Sequence, residues 1–442
     1  MPSWFARDAL LPDGWAKDVR IDVDRSGNFS SIRKDSRPEG AEALCGPVLP
    51  GMANLHSHAF QRAMAGRTET RASPDDDFWS WRELMYRFLE RLTPERAQAI
   101  AAQLYVEMLK HGYTAVGEFH YVHDRSGDML LGHLAAAKET GIAITLLPSL
   151  YQWSGLGGKP LTPRQRRFDS DPAFVLKLIE SLRPQLSPDL RAGAAPHSLR
   201  AVDPGALKEL VQALPADAPI HIHAAEQTKE VDGCVAALGA RPVEWLLANL
   251  KVDARWCLVH ATHMTPEETA ALAQSGATAA LCPTTEANLG DGIFPLPAYR
   301  AAGGRYGIGG DSHVSRDPAE ELRLLEYVQR LAARRRNLAV GASPAVGTTL
   351  WLEAASGGAV LGRVMGALAP GQRADLVVLD PELPDLAGRC GDAIANALVF
   401  SGGTNMVRDV MVAGAWTVRD SHHPREAAAA RAYKEAVAEL LA

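Results

Sequence analysis

Eight short apolar segments recur along the chain, and helical stretches separate them. They are residues 47–55, 114–119, 142–147, 190–195, 219–223, 256–260, 278–281 and 305–309. Each segment ends at polar or glycine-rich residues, which is typical of a buried strand. Because parallel strands need crossover helices between them, eight such units predict an α/β fold, the (β/α)8 barrel of the TIM type.

The stretches between these segments carry helix signals at their ends. Thr93-Pro94-Glu95 combines a capping hydroxyl, a proline at the first helical position and an acid in the first turn, and Gly112 follows as a C-terminal stop. Residues 265–268 repeat the pattern, with Gly276 as the stop. Both stretches are therefore predicted to be helices that connect barrel strands.

The two chain termini have a different pattern. Their β-rich segments lack crossover helices and are residues 21–32, 374–379 and 409–418. We predict that residues 1–46 and 365–442 form one small β-sandwich domain that ends in a C-terminal helix. The barrel then spans residues 47–364, since the neighbouring termini of a barrel can build a second unit together.

Composition excludes several classes of function. The 442 residues include 46 Lys+Arg and 52 Asp+Glu, so the formal net charge is −6, which does not favour a nucleic-acid partner. No uncharged apolar run is long enough for a membrane span or a signal peptide. The five cysteines are far apart and odd in number, which argues against a disulfide framework. We therefore expect a soluble cytoplasmic protein with no membrane partner.

Histidines and acids follow the predicted strands at their carboxyl ends. His56 and His58 close the first strand, where residues two apart point to the same side. The later strand ends supply His197, His221, His223, Glu226, His260 and Asp311. In a (β/α)8 barrel these ends converge on one rim, where the active sites of this fold are built.

Part of this set has the chemistry of a metal site. His56, His58, one histidine of the fifth strand and Asp311 would supply three imidazoles and a carboxylate, which suit zinc or ferrous iron. Such a cation lowers the pKa of bound water and provides hydroxide as a nucleophile. We favour His223 over His221 as the third imidazole because it lies nearer the rim, and we expect His221 to be a core histidine.

Several motifs resemble those of the amidohydrolase superfamily, and in particular its aminohydrolase branch with a single metal. They are residues 50–58 (PGMANLHSH), 195–198 (APHS), 221–226 (HIHAAE), 258–260 (LVH), 310–313 (GDSH) and 371–377 (GQRADLV). The resemblance covers nearly the whole chain. Within the branch, the formimidoylglutamate deiminase family of histidine degradation is similar at residues 56–62 (HSHAFQR), 311–315 (DSHVS) and 320–323 (EELR).

The resemblance implies an enzyme that hydrolyses N-formimidoyl-L-glutamate to N-formyl-L-glutamate and ammonia. It implies one divalent cation, zinc or iron, held by His56, His58, His223 and Asp311. Glu226 would be the proton shuttle, His260 the polarising partner, and Asp311 a second proton acceptor. The residues that would hold the glutamyl part are Gln61, Arg82, Tyr121, His197 and Arg200. By analogy with relatives, we expect a homodimer.

The charge of this substrate is a separate reason to expect that two arginines bind it. A dianionic glutamate tail needs fixed cationic donors, and an arginine fork pairs with a carboxylate through two hydrogen bonds. Arg82 and Arg200 meet that need. A sibling aminohydrolase that deaminates a cyclic amidine, such as guanine or another purine or pyrimidine, would instead favour stacking aromatics and amide donors. A third alternative is a catalytically silent scaffold, although every expected site position is occupied.

Two other groups of residues carry weaker signals. Phe78-Trp79-Ser80-Trp81 lies in the long loop predicted after the first strand, where it would serve either as a lid or as a packing anchor. Four histidines are expected at the surface: His111, His133, His422 and His423.

Overall fold

The computed structural model describes residues 2–70, 78–124 and 126–442. The chain begins with a group of strands that precede the barrel. They are β1 (Ser3–Leu11), β2 (Gly14–Val23), β3 (Phe29–Arg33), β4 (Glu42–Ala43) and β5 (Val48–Pro50). The predicted β segment at residues 21–32 falls on β2 and β3, whereas β1 was not predicted, because charged residues interrupt its apolar pattern.

The barrel strands follow at all eight predicted places. They are β6 (Met52–Ser57), β7 (Tyr113–His120), β8 (Ala143–Leu150), β9 (Leu190–Ala192), β10 (Ala195–Pro196), β11 (Ile220–Ala224), β12 (Trp256–His260), β13 (Thr278–Leu281) and β14 (Arg305–Ile308). These strands pair in parallel in the order β10-β8-β7-β6-β14-β13-β12-β11, and β9 also pairs with β8. Bridges from Ala194 to Ile220 and from Ser198 to His223 join the two ends. The predicted barrel is therefore confirmed.

Three C-terminal strands complete a second sheet with the N-terminal ones. They are β15 (Leu376–Leu379), β16 (Val407–Val412) and β17 (Ala415–Val418). The sheet runs β17-β16-β15-β5-β1-β2-β3. The Trp4 and Trp416 rings lie 6.0 Å apart although three strands separate β1 from β17, so the sheet folds over on itself. The two termini thus build one β domain, as predicted.

The first predicted barrel strand, residues 47–55, is in fact two strands. Val48–Pro50 pairs antiparallel with β15 and belongs to the terminal sheet, and only β6 belongs to the barrel. Gly51 separates them, and a Cβ at this position would lie 2.5 Å from a side-chain carbon of Thr114. The chain therefore passes between the two sheets at a close backbone contact that the continuous apolar run conceals.

Helices connect the strands and cover the barrel. They are α1 (Phe78–Glu90), α2 (Pro94–Lys110), α3 (Asp128–Thr140), α4 (Pro172–Leu182), α5 (Pro204–Ala213), α6 (Thr228–Leu238), α7 (Pro242–Asn249), α8 (Pro266–Ser275), α9 (Pro283–Leu289), α10 (Leu296–Ala301), α11 (Pro318–Ala333), α12 (Val346–Ser356), α13 (Asp392–Phe400) and α14 (Glu426–Leu441). The predicted caps are confirmed, since Thr93 Oγ1 accepts from Arg96 N at 3.3 Å and Thr265 Oγ1 accepts from Glu268 N at 3.2 Å.

The barrel interior is filled with apolar side chains below the rim. Leu55, Val259, Ala280 and Cys282 pack there and are fully buried. Because this core is closed by side chains, the polar residues at the carboxyl ends of the strands are separated from the other end of the barrel.

Some local expectations differ from the structure. The loop predicted to hold residues 78–81 is the start of helix α1. His133 and His423 were expected at the surface but are buried, and His423 Nε2 lies 2.9 Å from the carbonyl oxygen of Thr140. His133 faces strand β7, where its Nδ1 lies 3.8 Å from Glu118 Oε1, and His423 packs against the end of α3. The sequence neighbours of the two histidines do not reveal these contacts. Among the described residues, no helix is both long enough and apolar enough to cross a membrane.

Candidate active site

Polar side chains gather where the barrel strands end. His56 lies in β6 and His58 directly follows it, His223 lies in β11, His260 ends β12, and Asp311 follows β14 by three residues. All five residues are at most 6% exposed. The carboxyl ends of four strands therefore bring the predicted imidazoles and acid to one place.

Three imidazoles face one another at this rim. His56 Nε2 lies 3.1 Å from His223 Nε2, and the ligand atoms of His56, His58 and His223 all lie within 4.8 Å of one another. His58 Nδ1 lies 2.9 Å from the carbonyl oxygen of Phe119, and His223 Nδ1 lies 2.9 Å from that of His197. Because a carbonyl oxygen can only accept, Nδ1 carries the proton in both rings, and Nε2 is left to bind a cation.

Asp311 adds a carboxylate to the three imidazoles. Its Oδ1 lies 3.6 Å from His56 Nε2 and 3.5 Å from His58 Nε2. Burial lowers the pKa of His58 to about 3 and lowers the pKa values of His56 and His223 well below their usual range. The rings are thus neutral, which is the form that binds metals. Three neutral imidazoles, two of them oriented by backbone carbonyl oxygens, and one carboxylate fit a zinc or ferrous ion.

His260 stands between carboxylates beside this group. Its Nε2 lies 3.7 Å from Glu226 Oε1 and 3.7 Å from Asp311 Oδ2, and its Nδ1 lies 3.2 Å from Glu286 Oε1. Burial alone would lower the pKa of His260, but Glu226 and the other carboxylates outweigh burial and raise it to about 10. His260 therefore places a positive charge next to His56, His58, His223 and Asp311, which we call the metal-ligand group.

Arg200 contacts Glu226 directly, which the sequence analysis does not predict. Its Nη2 lies 2.6 Å from Glu226 Oε2, and its Nε lies 3.7 Å from Glu230 Oε2. The same Glu230 oxygen accepts from the backbone N of Glu226 at 3.0 Å. Burial would raise the pKa of Glu226, but the Arg200 guanidinium outweighs burial and holds the pKa below its usual value. Arg200 thus stabilises the ionised form of Glu226.

A cavity of about 540 Å³ is lined by Glu226 and by three of the four candidate metal ligands, His58, His223 and Asp311. The five residues predicted to hold a glutamyl group all line it: Gln61, Arg82, Tyr121, His197 and Arg200. Gln61 Nε2 donates to Tyr121 Oη at 2.8 Å, and Arg82 Nη2 donates to Tyr86 Oη at 2.8 Å. Three of the residues predicted for the metal and all those predicted for the glutamyl group therefore share one cavity.

Two other predicted features are placed as follows. His221 lies two residues before His223 in β11 and is fully buried. It belongs to neither of the two groups of metal-ligand atoms found among the described residues, which are His56, His58 and His223 and, separately, His260, Cys282 and Asp311. This position fits the expected core histidine. Trp81 lines the cavity from α1, whereas the side chains of residues 78–80 lie outside the described part of the chain.

Glu118 is a buried carboxylate that the sequence analysis does not identify. It accepts from Ser57 Oγ at 2.6 Å, from Ala59 N at 2.9 Å and from Tyr105 Oη at 3.0 Å. Ser57 Oγ also lies 2.8 Å from His313 Nε2. This network ties the segment that holds the first two ligand histidines to the loop that holds the ligand carboxylate. The place of Glu118 near the end of the second barrel strand is the sequence signal that could have identified it.

Comparison with known proteins defines the class. Residues 48–417 match the amidohydrolase family, and residues 1–45 match the N-terminal domain of formimidoylglutamate deiminase HutF. The crystal structure of an amidohydrolase from Brucella melitensis matches with a TM-score of 0.95 at 46% identity, covering 100% of both chains. The chain belongs to the amidohydrolase family.

Two relatives and one further solved structure are also similar to the chain, and the first of them indicates a narrower family. Formimidoylglutamate deiminase of Pseudomonas aeruginosa is 53% identical and covers 100% of both chains. A 5-methylthioadenosine/S-adenosylhomocysteine deaminase of Natronomonas pharaonis is 30% identical over 84% of this chain and 81% of its own. The atrazine chlorohydrolase TrzN of Arthrobacter aurescens, solved with zinc, shares the fold with a TM-score of 0.84 at 21% identity over 100% of both chains. Within the amidohydrolases, the chain is a member of the formimidoylglutamate deiminase family.

Proposed function

We propose that the protein hydrolyses N-formimidoyl-L-glutamate to N-formyl-L-glutamate and ammonia, as a step of histidine degradation. The observation that carries this proposal is the cavity that brings three of the candidate metal ligands together with Arg82 and Arg200. The full-length similarity to a formimidoylglutamate deiminase supports the same substrate.

We further propose one divalent cation, held by His56, His58, His223 and Asp311. Zinc is our assignment because four nitrogen and oxygen donors suit its preferred coordination, and ferrous iron is the alternative with the same donors. When bound, such a cation supplies the Lewis acidity that brings the pKa of a water molecule towards neutrality.

Glu226 is the residue that moves the proton. Hydrolysis adds water to the formimidoyl carbon and expels one of its two nitrogens as ammonia. Glu226 starts ionised, because Arg200 Nη2 lies 2.6 Å from its Oε2, so it can take a proton from the water. The same carboxyl then delivers that proton to the departing nitrogen, and the second proton of the water leaves the added oxygen when the carbonyl forms.

His260 and Asp311 act on the oxygen that is added. Negative charge develops on this oxygen whenever the water gives up a proton, and a protonated His260 stabilises that charge. Asp311 Oδ2, which lies 3.7 Å from His260 Nε2, is placed to accept a second proton from the water.

The glutamyl part of the substrate carries two carboxylates, so its binding site requires positively charged side chains. Arg82 and Arg200 place two guanidinium groups on the cavity wall, and this group pairs well with carboxylates. Arg200 also pairs with Glu226 and Glu230, so a substrate carboxylate would share it with them. Gln61 and Tyr121, already joined by a hydrogen bond of 2.8 Å, offer polar groups beside them. A heteroaromatic base carries no carboxylate for these cations, so the cavity favours a dicarboxylate.

An ammonia-release assay tests this proposal. N-formimidoyl-L-glutamate is compared with guanine, cytosine and adenosine at equal concentrations. We expect turnover of the first compound and background rates with the three bases, and Glu226→Gln enzyme purified in parallel shows whether a contaminant contributes. Faster release from any of the bases would replace the proposed substrate with a cyclic amidine.

Three statements about the whole protein stay predictions. They are the homodimer, the cytoplasmic location, and the absence of nucleic-acid or membrane partners. Sedimentation of the purified protein tests the first of them.

A further inference from the structure

Two residues of the proposed reaction have strained backbones. His260 has a φ of +67° and Asp311 a φ of +49°, both in the left-handed region that side-chain-bearing residues rarely adopt. Such conformations are unfavourable and persist only where the surrounding structure holds them. Specific contacts must therefore keep these two side chains in place.

The first turn of α9 supplies contacts to both. Glu286 Oε1 accepts from the backbone N of Cys282 at 2.9 Å and lies 3.2 Å from His260 Nδ1. Thr285 Oγ1 donates to the carbonyl oxygen of Gly310 at 3.0 Å and lies 2.9 Å from Ser312 Oγ, so it holds the residues on both sides of Asp311. Two consecutive residues of one helix thus support the two strained residues.

We propose that Glu286 is a positioning residue for the hydrolysis. Its Oε1 accepts the Nδ1 proton of His260 and so keeps Nε2 directed at Glu226 and Asp311, which lie 3.7 Å away on the other side of the ring. Glu286 acts on the reaction only through His260. The proposal rests on the function proposed above, because it assigns Glu286 a part in that reaction.

The carboxylate is held in a way that suits this role. Glu286 is 6% exposed, and the Cys282 hydrogen bond fixes the same oxygen that faces His260. One oxygen atom therefore connects the start of α9 with the ring that ends β12. Metal-ligating histidines are commonly oriented by a carboxylate on the other ring nitrogen, and loss of that carboxylate typically costs 10- to 100-fold in metal affinity or activity. Glu286 contacts the ring of His260 in the same way.

Two conservative variants show whether Glu286 acts through its hydrogen bonds or through its negative charge. Glu286→Gln keeps the side-chain length and an oxygen that can accept from both Cys282 N and His260 Nδ1, but it removes the charge. Glu286→Asp keeps the charge but is shorter by one methylene, so its oxygen cannot keep both contacts. Positioning predicts that Gln preserves kcat better than Asp, whereas a purely electrostatic role predicts the reverse.

The expected results are specific. We expect kcat of Glu286→Gln within about tenfold of the wild type and kcat of Glu286→Asp about 10- to 100-fold lower, with KM and metal content unchanged in both. Glu321→Gln is the matched control. This buried carboxylate of α11 accepts from Thr284 N at 2.9 Å and Thr284 Oγ1 at 2.6 Å, two residues from Glu286, and its loss should leave kcat unchanged.

A measurement on the resting enzyme tests the contact without turnover. The hydrogen-bonded Nδ1 proton of His260 gives a downfield NMR signal, identified by its loss in His260→Asn. We expect it to persist in Glu286→Gln and to disappear in Glu286→Asp. Persistence in both variants, loss in both, or equal kcat values would overturn the positioning role. A wild-type enzyme that releases no ammonia would instead refute the proposed function, while the NMR result still decides the contact.

Discussion

The two ends of the barrel bury charged groups in opposite ways. At the amino end, the buried Arg363 guanidinium donates to the carbonyl oxygens of Ile144, Pro188 and Asp189. At the carboxyl end, imidazoles and carboxylates face one another, and within the described residues His260 Nε2 has no hydrogen-bond partner. A buried charge whose donors are satisfied by backbone supports the fold, whereas one left available serves chemistry.

Backbone conformation shows the same contrast. Five of the twelve described non-glycine residues in the left-handed region lie at or just past the carboxyl ends of β11, β12 and β14, and they are Ala225, His260, Ala261, Asp311 and His313. Such strain is a recurring property of functional sites. The unfavourable backbone conformations at the rim therefore lower stability, and the apolar packing of the barrel interior compensates for this loss.

The largest effect should come from the proton shuttle at the rim. Glu226→Gln keeps the shape of the side chain but cannot transfer protons, so we expect kcat for ammonia release to fall about 10²- to 10⁴-fold. Metal content, measured by elemental analysis, should stay at the wild-type level. Turnover near the wild-type rate in the purified variant would remove Glu226 from its role.

Removing a metal ligand should lower metal binding at the rim, which the Glu226→Gln variant should leave unchanged. His56→Ala deletes one of the three imidazoles, so we expect bound metal to fall at least tenfold under dilute chelator, with activity falling in parallel. His221→Ala is the control, because this histidine lies in the same barrel interior but outside the ligand group. Full metal occupancy in His56→Ala would contradict the assignment.

The two arginines should separate substrate binding from proton transfer. Arg200→Met loses the contact with Glu226 as well as a carboxylate partner, so we expect KM to rise about tenfold and kcat to fall. Arg82 instead donates to Tyr86 Oη at 2.8 Å and to Tyr151 Oη at 3.3 Å, so Arg82→Met should raise KM with a smaller change in kcat. Steady-state kinetics check both variants, and identical kcat values would argue against the Arg200–Glu226 coupling.

Local signals explain why much of the architecture could be predicted. Short apolar runs, capping threonines and terminal glycines act within a few residues, and they placed all eight barrel strands. The His56 and His58 pair also follows from local strand geometry, because side chains two apart share a face. Once the barrel is assumed, the convergence of the remaining strand ends follows from topology.

Contacts between distant elements were the part that could not be predicted. The switch of Val48–Pro50 into the terminal sheet depends on β15, more than 300 residues away. The Arg200–Glu226 ion pair joins the ends of two different strands, and the Glu286 contact depends on how α9 packs against β12. A residue type in isolation carries no signal for such pairs, so the sequence pattern does not predict the supporting carboxylates, whereas it predicts the candidate ligands because they lie at strand ends.

The smallest expected effect on activity lies at the amino end. Arg363→Met removes the guanidinium and leaves buried carbonyl oxygens without donors, which should lower the free energy of unfolding by about 1–3 kcal/mol. Thermal unfolding measures this loss, while kcat and metal content should stay unchanged because the apolar barrel interior separates Arg363 from the rim. Arg183→Met is the matched control, since its side chain is 73% exposed and its removal should change neither property. If Arg363→Met lost metal or turnover at an unchanged melting temperature, the division between a stabilising end and a catalytic end would fail, and the barrel core would have to transmit changes between them.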